Sequence, residues 1–312
     1  MAEVRKPLSS YWAPRYWPVW FGMGLLRLVC LLPHRMALGA GRLLGRLAHA
    51  AGGSRVAIVR RNLELCFPDL SPSERDALAR RHFDALGMAL IEMGLGRWAS
   101  DAHIERISKL VGLEHLQAAL DTGRGVILLS AHFTTLEVMG RLLKLRTPPF
   151  DAVFRRNRSA FMTELQRSGR EKSADSTIEK RDIKKMVRSL RDNRAVWYAP
   201  DQSYNRKGAE VIPFFGVPCM HTTATSTLAR LGDAIVVPFF PRRMEDSSYV
   251  LTLYPAFEDF PSEDPVADTR RYVDLLEKHI RTCPEQYFWI HRKFKDLPPE
   301  YPDAYADLDA LK

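Results

Sequence analysis

The sequence predicts an α/β layered domain with a mixed, mostly parallel sheet, preceded by N-terminal membrane-anchoring helices. Three observations carry that reading. At 312 residues with 46% hydrophobic content, the chain is long enough for one large domain or two small ones, and its composition is neither disordered nor fibrous. From Gly112 onward, short apolar runs alternate with segments of helical period, the order that gives strands covered by helices. Before Gly53, apolar and aromatic residues run together with basic residues at either end, as in segments that meet lipid.

The elements follow in order. Trp17 to Pro33 opens on aromatics, is interrupted by Arg27, and is short for a span that needs about 20 residues. It lacks the small-residue cleavage site of a signal peptide. In His34 to Ala51, Arg42, Arg46 and His49 recur against Leu38, Leu43, Leu44 and Leu47. Together these read as an anchor, either a short span or an interfacial hairpin, with a buried helical pair as the competing reading. Ser71-Pro72-Ser73-Glu74 is a capping box with proline at the first helical position, opening a long helix that runs to the glycines at 94 and 96. Beyond Gly112, strand-like runs at Val126 to Ala131, Asp151 to Arg155, Ala195 to Ala199, Ala234 to Phe240 and Tyr249 to Tyr254 are separated by helical segments near 134–145, 159–170, 182–192 and 222–231, with a last helix near 268–282.

In such sheets, ligands bind at the carboxyl ends of the strands, and there the polar residues concentrate. The first run ends at His132, just before the period changes at Thr134. Two residues five apart in one helix point about 140° away from each other, at roughly 100° per residue, so His132 meets Glu137 only from outside the helix. With Thr134 as N-cap, Glu137 falls at the third helical position, and Phe133 and Val138 form a hydrophobic staple. Two readings stay open. Either Glu137 closes a capping box with His132 tucked against it, or the carboxylate orients an imidazole that takes a proton from a hydroxyl. The next runs end on Arg155-Arg156-Asn157-Arg158, on Asp201-Gln202, and on Arg242-Arg243. No Gly-rich phosphate loop, Gly-x-Ser-x-Gly or His-x-x-x-His is present, which argues against nucleotide hydrolysis, serine hydrolysis and metal catalysis.

The net charge of +9 is concentrated. Residues 141–194 hold sixteen Lys/Arg and seven Asp/Glu, and the remaining chain balances. Such a field attracts phosphates, anionic lipid or an acidic protein. The interleaved aromatic and basic pattern of a nucleic-acid platform is missing, so no nucleic acid is expected. Cys30, Cys66, Cys219 and Cys283 are scattered without metal-ligand spacing, so reduced thiols are expected and no disulfide framework is implied.

Several ordered blocks resemble one family. Ser130-Ala131-His132 through Glu137, Phe154-Arg155-Arg156-Asn157, Ser168-Gly169-Arg170, Val196 to Asp201, Val211 to Gly216 and Val236 to Phe239 look like the lipid A biosynthesis acyltransferases, the lauroyl or myristoyl late branch of the lysophospholipid and glycerolipid acyltransferase superfamily. Asn62 to Pro68 and Pro284 to Arg292 extend the likeness, which runs from about Trp17 to Lys295. The wider superfamily has Pro-Glu-Gly where this chain has Pro200-Asp201-Gln202, a departure that fits the lipid A branch.

The chain is divided accordingly into a membrane anchor and amphipathic helix over 1–52, an acyltransferase domain over 53–298 and an acidic tail over 299–312. The resemblance implies an inner-membrane enzyme with its active site on the cytoplasmic side. The donor is then a fatty acyl thioester on acyl carrier protein, and the acceptor a hydroxyl on an acyl chain of the Kdo-bearing lipid A precursor. On this reading His132 is the base, Glu137 its orienter, and Arg155, Arg156 and Arg170 grip phosphates or carboxylates. Asp201 meets sugar hydroxyls or holds an arginine, or is a plain turn residue after Pro200. No cofactor is required. The alternatives are a coenzyme A dependent lysophospholipid or glycerol phosphate acyltransferase, and outside enzymes a basic membrane-associated scaffold.

Overall fold

The computed structural model describes residues 6–309. Four helices come first: α1 (Trp17–Val29), α2 (His34–Ala50), α3 (Ser54–Cys66) and α4 (Pro72–Trp98). The start of α4 follows its sequence. The Ser71 hydroxyl accepts from the Glu74 amide, the Glu74 carboxylate accepts from the Ser71 amide at 2.7 Å, and Pro72 fills the first position. Gly94 and Gly96 do not end this helix; it continues to Trp98. α2 crosses α4 almost backbone to backbone, since a Cβ on Gly87 would stand 2.0 Å from the Gly41 carbonyl oxygen and one on Gly45 1.9 Å from that of Phe83.

α1 has 13 residues, and among the described residues no helix is long and apolar enough to cross a membrane. The expected short span is therefore not what the fold contains. α1 and α2 instead split their faces. Leu26 and Cys30 lie against Gly94 of α4, while Phe21 (70% exposed), Leu28 (62%), Leu31 (74%) and Leu43 (57%) turn outward.

The remaining elements run α5 (Asp101–Ile107), β1 (Ser108–Val111), α6 (Leu113–Asp121), β2 (Val126–Leu129), α7 (Leu136–Arg146), β3 (Phe150–Phe154), α8 (Ala160–Ser173), β4 (Ser176–Glu179), α9 (Ile183–Arg191), β5 (Ala195–Tyr198), β6 (Ala209–Val211), β7 (Met220–Thr222), α10 (Ala224–Gly232), β8 (Ile235–Arg243), β9 (Tyr249–Leu253) and α11 (Pro265–Thr282). Seven strands form one sheet in the order β1-β9-β8-β2-β5-β3-β4. Every neighbouring pair is parallel except β8 and β9, so the sheet is mixed and mostly parallel as expected.

The central strands are apolar on both sides because helices cover both faces. Ile127, Leu129, Val196 and Tyr198 join a core with α3, α9, α10 and α11, while Val126, Leu128, Ala195 and Trp197 join another with α4, α6 and α7. A fully buried leucine such as Leu129 contributes about 1.5–3 kcal/mol. β1 and β4, at the two edges, and the β6–β7 hairpin are additions to the strands expected. Their short sequences Ser-Lys-Leu-Val, Ser-Thr-Ile-Glu, Ala-Glu-Val and Met-His-Thr mix polar residues into the run.

The capping box expected at Thr134 is absent. α7 starts two residues later, at Leu136, with Thr135 as an N-cap that makes no side-chain bond. Tertiary partners claim the groups that would have capped it: the Thr134 hydroxyl accepts from Arg243 Nη2 at 3.3 Å, and its amide donates to the Gln286 carbonyl at 2.9 Å. The segment around Tyr305 packs against α3. Tyr305 is fully buried and donates through its hydroxyl to Asn62 Oδ1 at 2.5 Å.

Gly87→Ala tests the crossing of α2 and α4. The added methyl forces the backbones apart, an overpacking cost of about 1–3 kcal/mol, so the melting temperature should fall by several degrees. A melting curve superimposable on that of the parent protein would show that the helices are free to separate.

Candidate active site

Strand register builds the site. β2 and β5 pair in parallel with Leu129 opposite Tyr198, and both chains leave the sheet at the same edge. Three residues further on, His132 and Asp201 meet. His132 Nδ1 lies 2.6 Å from Asp201 Oδ1, and the His132 backbone amide donates to Asp201 Oδ2 at 3.1 Å. The carboxylate accepts, so the hydrogen is assigned to Nδ1, leaving Nε2 as the acceptor on the ring. The ring is about one-third exposed, whereas the Asp201 side chain is 2% exposed.

A buried carboxylate needs partners. Burial raises the Asp201 pKa, but the charge and hydrogen bond of His132 and the charge of Lys293 outweigh it and hold the group well below the usual carboxylate range. The Tyr287 hydroxyl adds a bond to Oδ2 at 3.1 Å, and buried Lys293 donates to the Asp201 carbonyl. His291 stands with its ring centre 6.4 Å from that of His132. Burial first, then repulsion from His132, bring its pKa down to about 4.

α11 and the segment after it strap the histidine loop in place. Phe133 and Tyr287 form an antiparallel bridge, the Phe288 amide donates to the His132 carbonyl at 3.1 Å, and the Tyr272 hydroxyl donates to the Ser130 carbonyl at 2.8 Å. Asn62 of α3 holds the strap's far end through the carbonyls of Trp289 and His291.

His132 opens on a cavity of about 400 Å³, lined also by Arg155, Arg156, Arg170, Lys180 and Trp197. Arg155 and Arg156 are exposed at its rim. Arg170 is mostly buried, with its guanidinium 5.7 Å from the Trp197 ring centre and its Nε 3.5 Å from Glu137 Oε1. The expected pairing of Glu137 with His132 is thus corrected. Glu137 faces Arg170, and the carboxylate on the imidazole is Asp201, which was expected at sugar hydroxyls or at an arginine. Among the described residues no group of three or more His, Cys, Asp or Glu is arranged to hold a metal ion.

The family model described as bacterial lipid A biosynthesis acyltransferase matches residues 5–296. The chain belongs to that family. Among similar proteins, the lipid A biosynthesis lauroyltransferase of Escherichia coli (strain K12) is 38% identical over 308 residues, covering 98% of this chain and 100% of the relative. The lipid A biosynthesis palmitoleoyltransferase of the same organism is 38% identical over 288 residues, covering 91% of this chain and 93% of the relative. A lipid A biosynthesis acyltransferase of Haemophilus influenzae is 36% identical over 300 residues, covering 95% and 96%.

In this lipid A biosynthesis acyltransferase the cleft thus brings together an imidazole bonded through Nδ1, a buried carboxylate behind it, and cations at the rim. Tyr287, His291, Lys293 and Asn62 belong to this site and received no role from sequence. The signal available was the run Pro284 to Arg292, dense in aromatic and polar residues beside the last helix, but nothing local says that it returns to the strand edge.

Buried histidines set an acid limit, and burial lowers the His221 pKa well below its ordinary value too. Burial brings His82, His279 and His291 to about 4, against an ordinary 6.5. Between those values the unfolded chain binds protons that the folded chain does not, so stability falls as pH drops from 6.5 towards 4, by up to about 1.4 kcal/mol per pH unit for each proton. Asp201, shifted down instead, supplies stability above its unfolded value and loses it only at still lower pH. Urea midpoints should decline steeply from pH 6.5 to 4.5; a flat profile there would contradict the buried neutral rings.

Proposed function

We propose that this acyltransferase moves a fatty acyl group of the lauroyl or myristoyl class from acyl carrier protein to a hydroxyl on an acyl chain of the Kdo-bearing lipid A precursor. The reaction takes place at the cytoplasmic face of the inner membrane. The observation that carries the chemistry is the 2.6 Å contact between His132 Nδ1 and Asp201. His132 Nε2 takes the acceptor's proton, and the alkoxide oxygen adds to the thioester carbonyl. The tetrahedral oxyanion then collapses, the carbon–sulfur bond breaks, and the departing thiolate receives the proton from the imidazolium. A positioned base of this kind is worth roughly 10²- to 10⁴-fold. Asp201 fixes the tautomer and stabilises the cation in between. Glu137 holds Arg170 towards the cleft, where Arg170, Arg155 and Arg156 face the acceptor's phosphates or carboxylates.

Attachment to the membrane rests on the outward apolar face of α1 and α2. Phe21, Leu28, Leu31 and Leu43 are exposed beside Arg27, Arg35, Arg42 and Arg46, the pattern of helices that lie in the interface. Leu28→Glu with Leu43→Glu should release the protein from vesicles containing anionic lipid in a flotation assay, with the melting temperature held. Full retention in high salt would refute attachment through this face.

Mutation separates the two carboxylates. His132→Ala should cost at least about 10²-fold in kcat. Asp201→Asn removes the charge that favours the imidazolium, so it should slow turnover and move the histidine limb of the pH–rate profile to lower pH. Glu137→Gln should leave that limb in place, and its effect should not add to that of Arg170→Ala, because the two act as one pair. A limb that moves in Glu137→Gln and stays in Asp201→Asn would reverse the assignment.

A further inference from the structure

The strand edge carries a second concavity next to the His132 cleft. A cavity of about 650 Å³ opens between the ends of β3 and β4 and the segments 202–206 and 295–296; Arg155, Arg156, Lys180, Arg181, Arg206 and Lys295 line it against only two carboxylates, Glu179 and Asp296. Both acids are engaged, since Lys295 pairs with Asp296 at 3.1 Å and Arg156 lies 3.9 Å from Glu179. Among the described residues Arg155, Arg181 and Arg206 form no ion pair, and all three are exposed. Lys180 is exposed as a residue, yet partial loss of water, the charge of Arg155 and, against Asp201, that of Arg206 loosen its proton. Like charges gathered in this way repel one another until an anion arrives.

The two cavities share Arg155, Arg156, Lys180, Gln202 and Tyr204, so a molecule seated in the basin reaches the reacting centre directly. Their outer sides differ. The cleft is flanked by α8, whose Phe161 packs on Tyr11, Tyr16 and Trp20 of the N-terminal segment, the side proposed above to meet lipid. The basin sits at the edge strand β4, and no residue of α8 lines it, whereas Gln166 and Arg170 of α8 line the cleft. A lipid acceptor that keeps its chains in the bilayer enters from the first side, leaving the second to a water-soluble anion.

We propose that the basin docks the acidic protein that carries the acyl thioester. Arg181 and Arg206 grip its carboxylates, and its thioester arm passes Arg155 into the His132 cleft. The inference rests on the carrier-borne donor proposed above. Its test uses the full chain in mixed micelles with two donors: the acyl thioester on acyl carrier protein, and the same acyl group on free pantetheine, which brings neither protein nor phosphate.

Arg181→Glu with Arg206→Glu should raise KM for the carrier thioester at least tenfold, with kcat and the acceptor KM within twofold and the pantetheine reaction little changed. Lys109→Glu, on β1 at the opposite edge, should leave the carrier KM alone. An unchanged carrier KM in the double variant, a raised acceptor KM in its place, or an equal loss with both donors would overturn the docking site. A parent protein that transfers from pantetheine and never from the carrier would instead bring down the donor reading, and the docking site with it. Unfolding curves on both variants show whether the fold is kept.

Discussion

The contact between the His132 ring and the Asp201 carboxylate is the constraint on which the rest of the site depends. An ionised carboxylate at 1% exposure is costly unless every lone pair is met and a cation stands near. Here the requirement is met from three directions: the ring and amide of His132, the hydroxyl of Tyr287, and the ammonium of Lys293. The same bonds that make Asp201 tolerable fix the imidazole in the wall of the cleft. Burial of the carboxylate and placement of the ring are therefore one arrangement.

Such a loop must also be held still, and a chain of buried polar groups runs from the helical scaffold to it. Arg243 Nε donates to Glu92 Oε1 of α4 at 2.6 Å, and Arg243 Nη2 donates to Glu92 Oε2 and to the Thr134 hydroxyl. The Gln286 side chain brackets the Arg243 backbone, accepting from its amide at 2.7 Å and donating to its carbonyl at 2.9 Å, while the Gln286 carbonyl takes the Thr134 amide. This ties α4, the end of β8, the strap and the residues after His132 into one network. It also explains why Thr134 does not cap α7: its hydrogen-bonding groups are already committed.

Apolar surface and the densest group of cations lie on different elements. Outward leucines and phenylalanine lie on or beside α1 and α2, while Arg155, Arg156, Lys180, Arg181 and Arg206 gather at the strand edge near β3 and β4.

The sequence alone determined what local rules govern. Alternating apolar runs and helical periods place strands and helices in order, Ser71 and Glu74 start α4, and a short apolar run ending in Ser130-Ala131-His132 puts a histidine at a strand end. The blocks shared with lipid A acyltransferases were also readable, since they are strings of residues. Local rules failed where partners lie far away in the chain. Glu137 is five residues from His132 and Asp201 is sixty-nine, so spacing favoured Glu137. The register of β2 on β5 decided for Asp201, because two parallel strands that leave the sheet together bring equally displaced residues to the same place. Likewise, apolar density in the first 50 residues predicts helices, but only the close crossing of α2 on α4, with Leu26 and Cys30 turned inward, decided that these helices rest on the domain with one face outward.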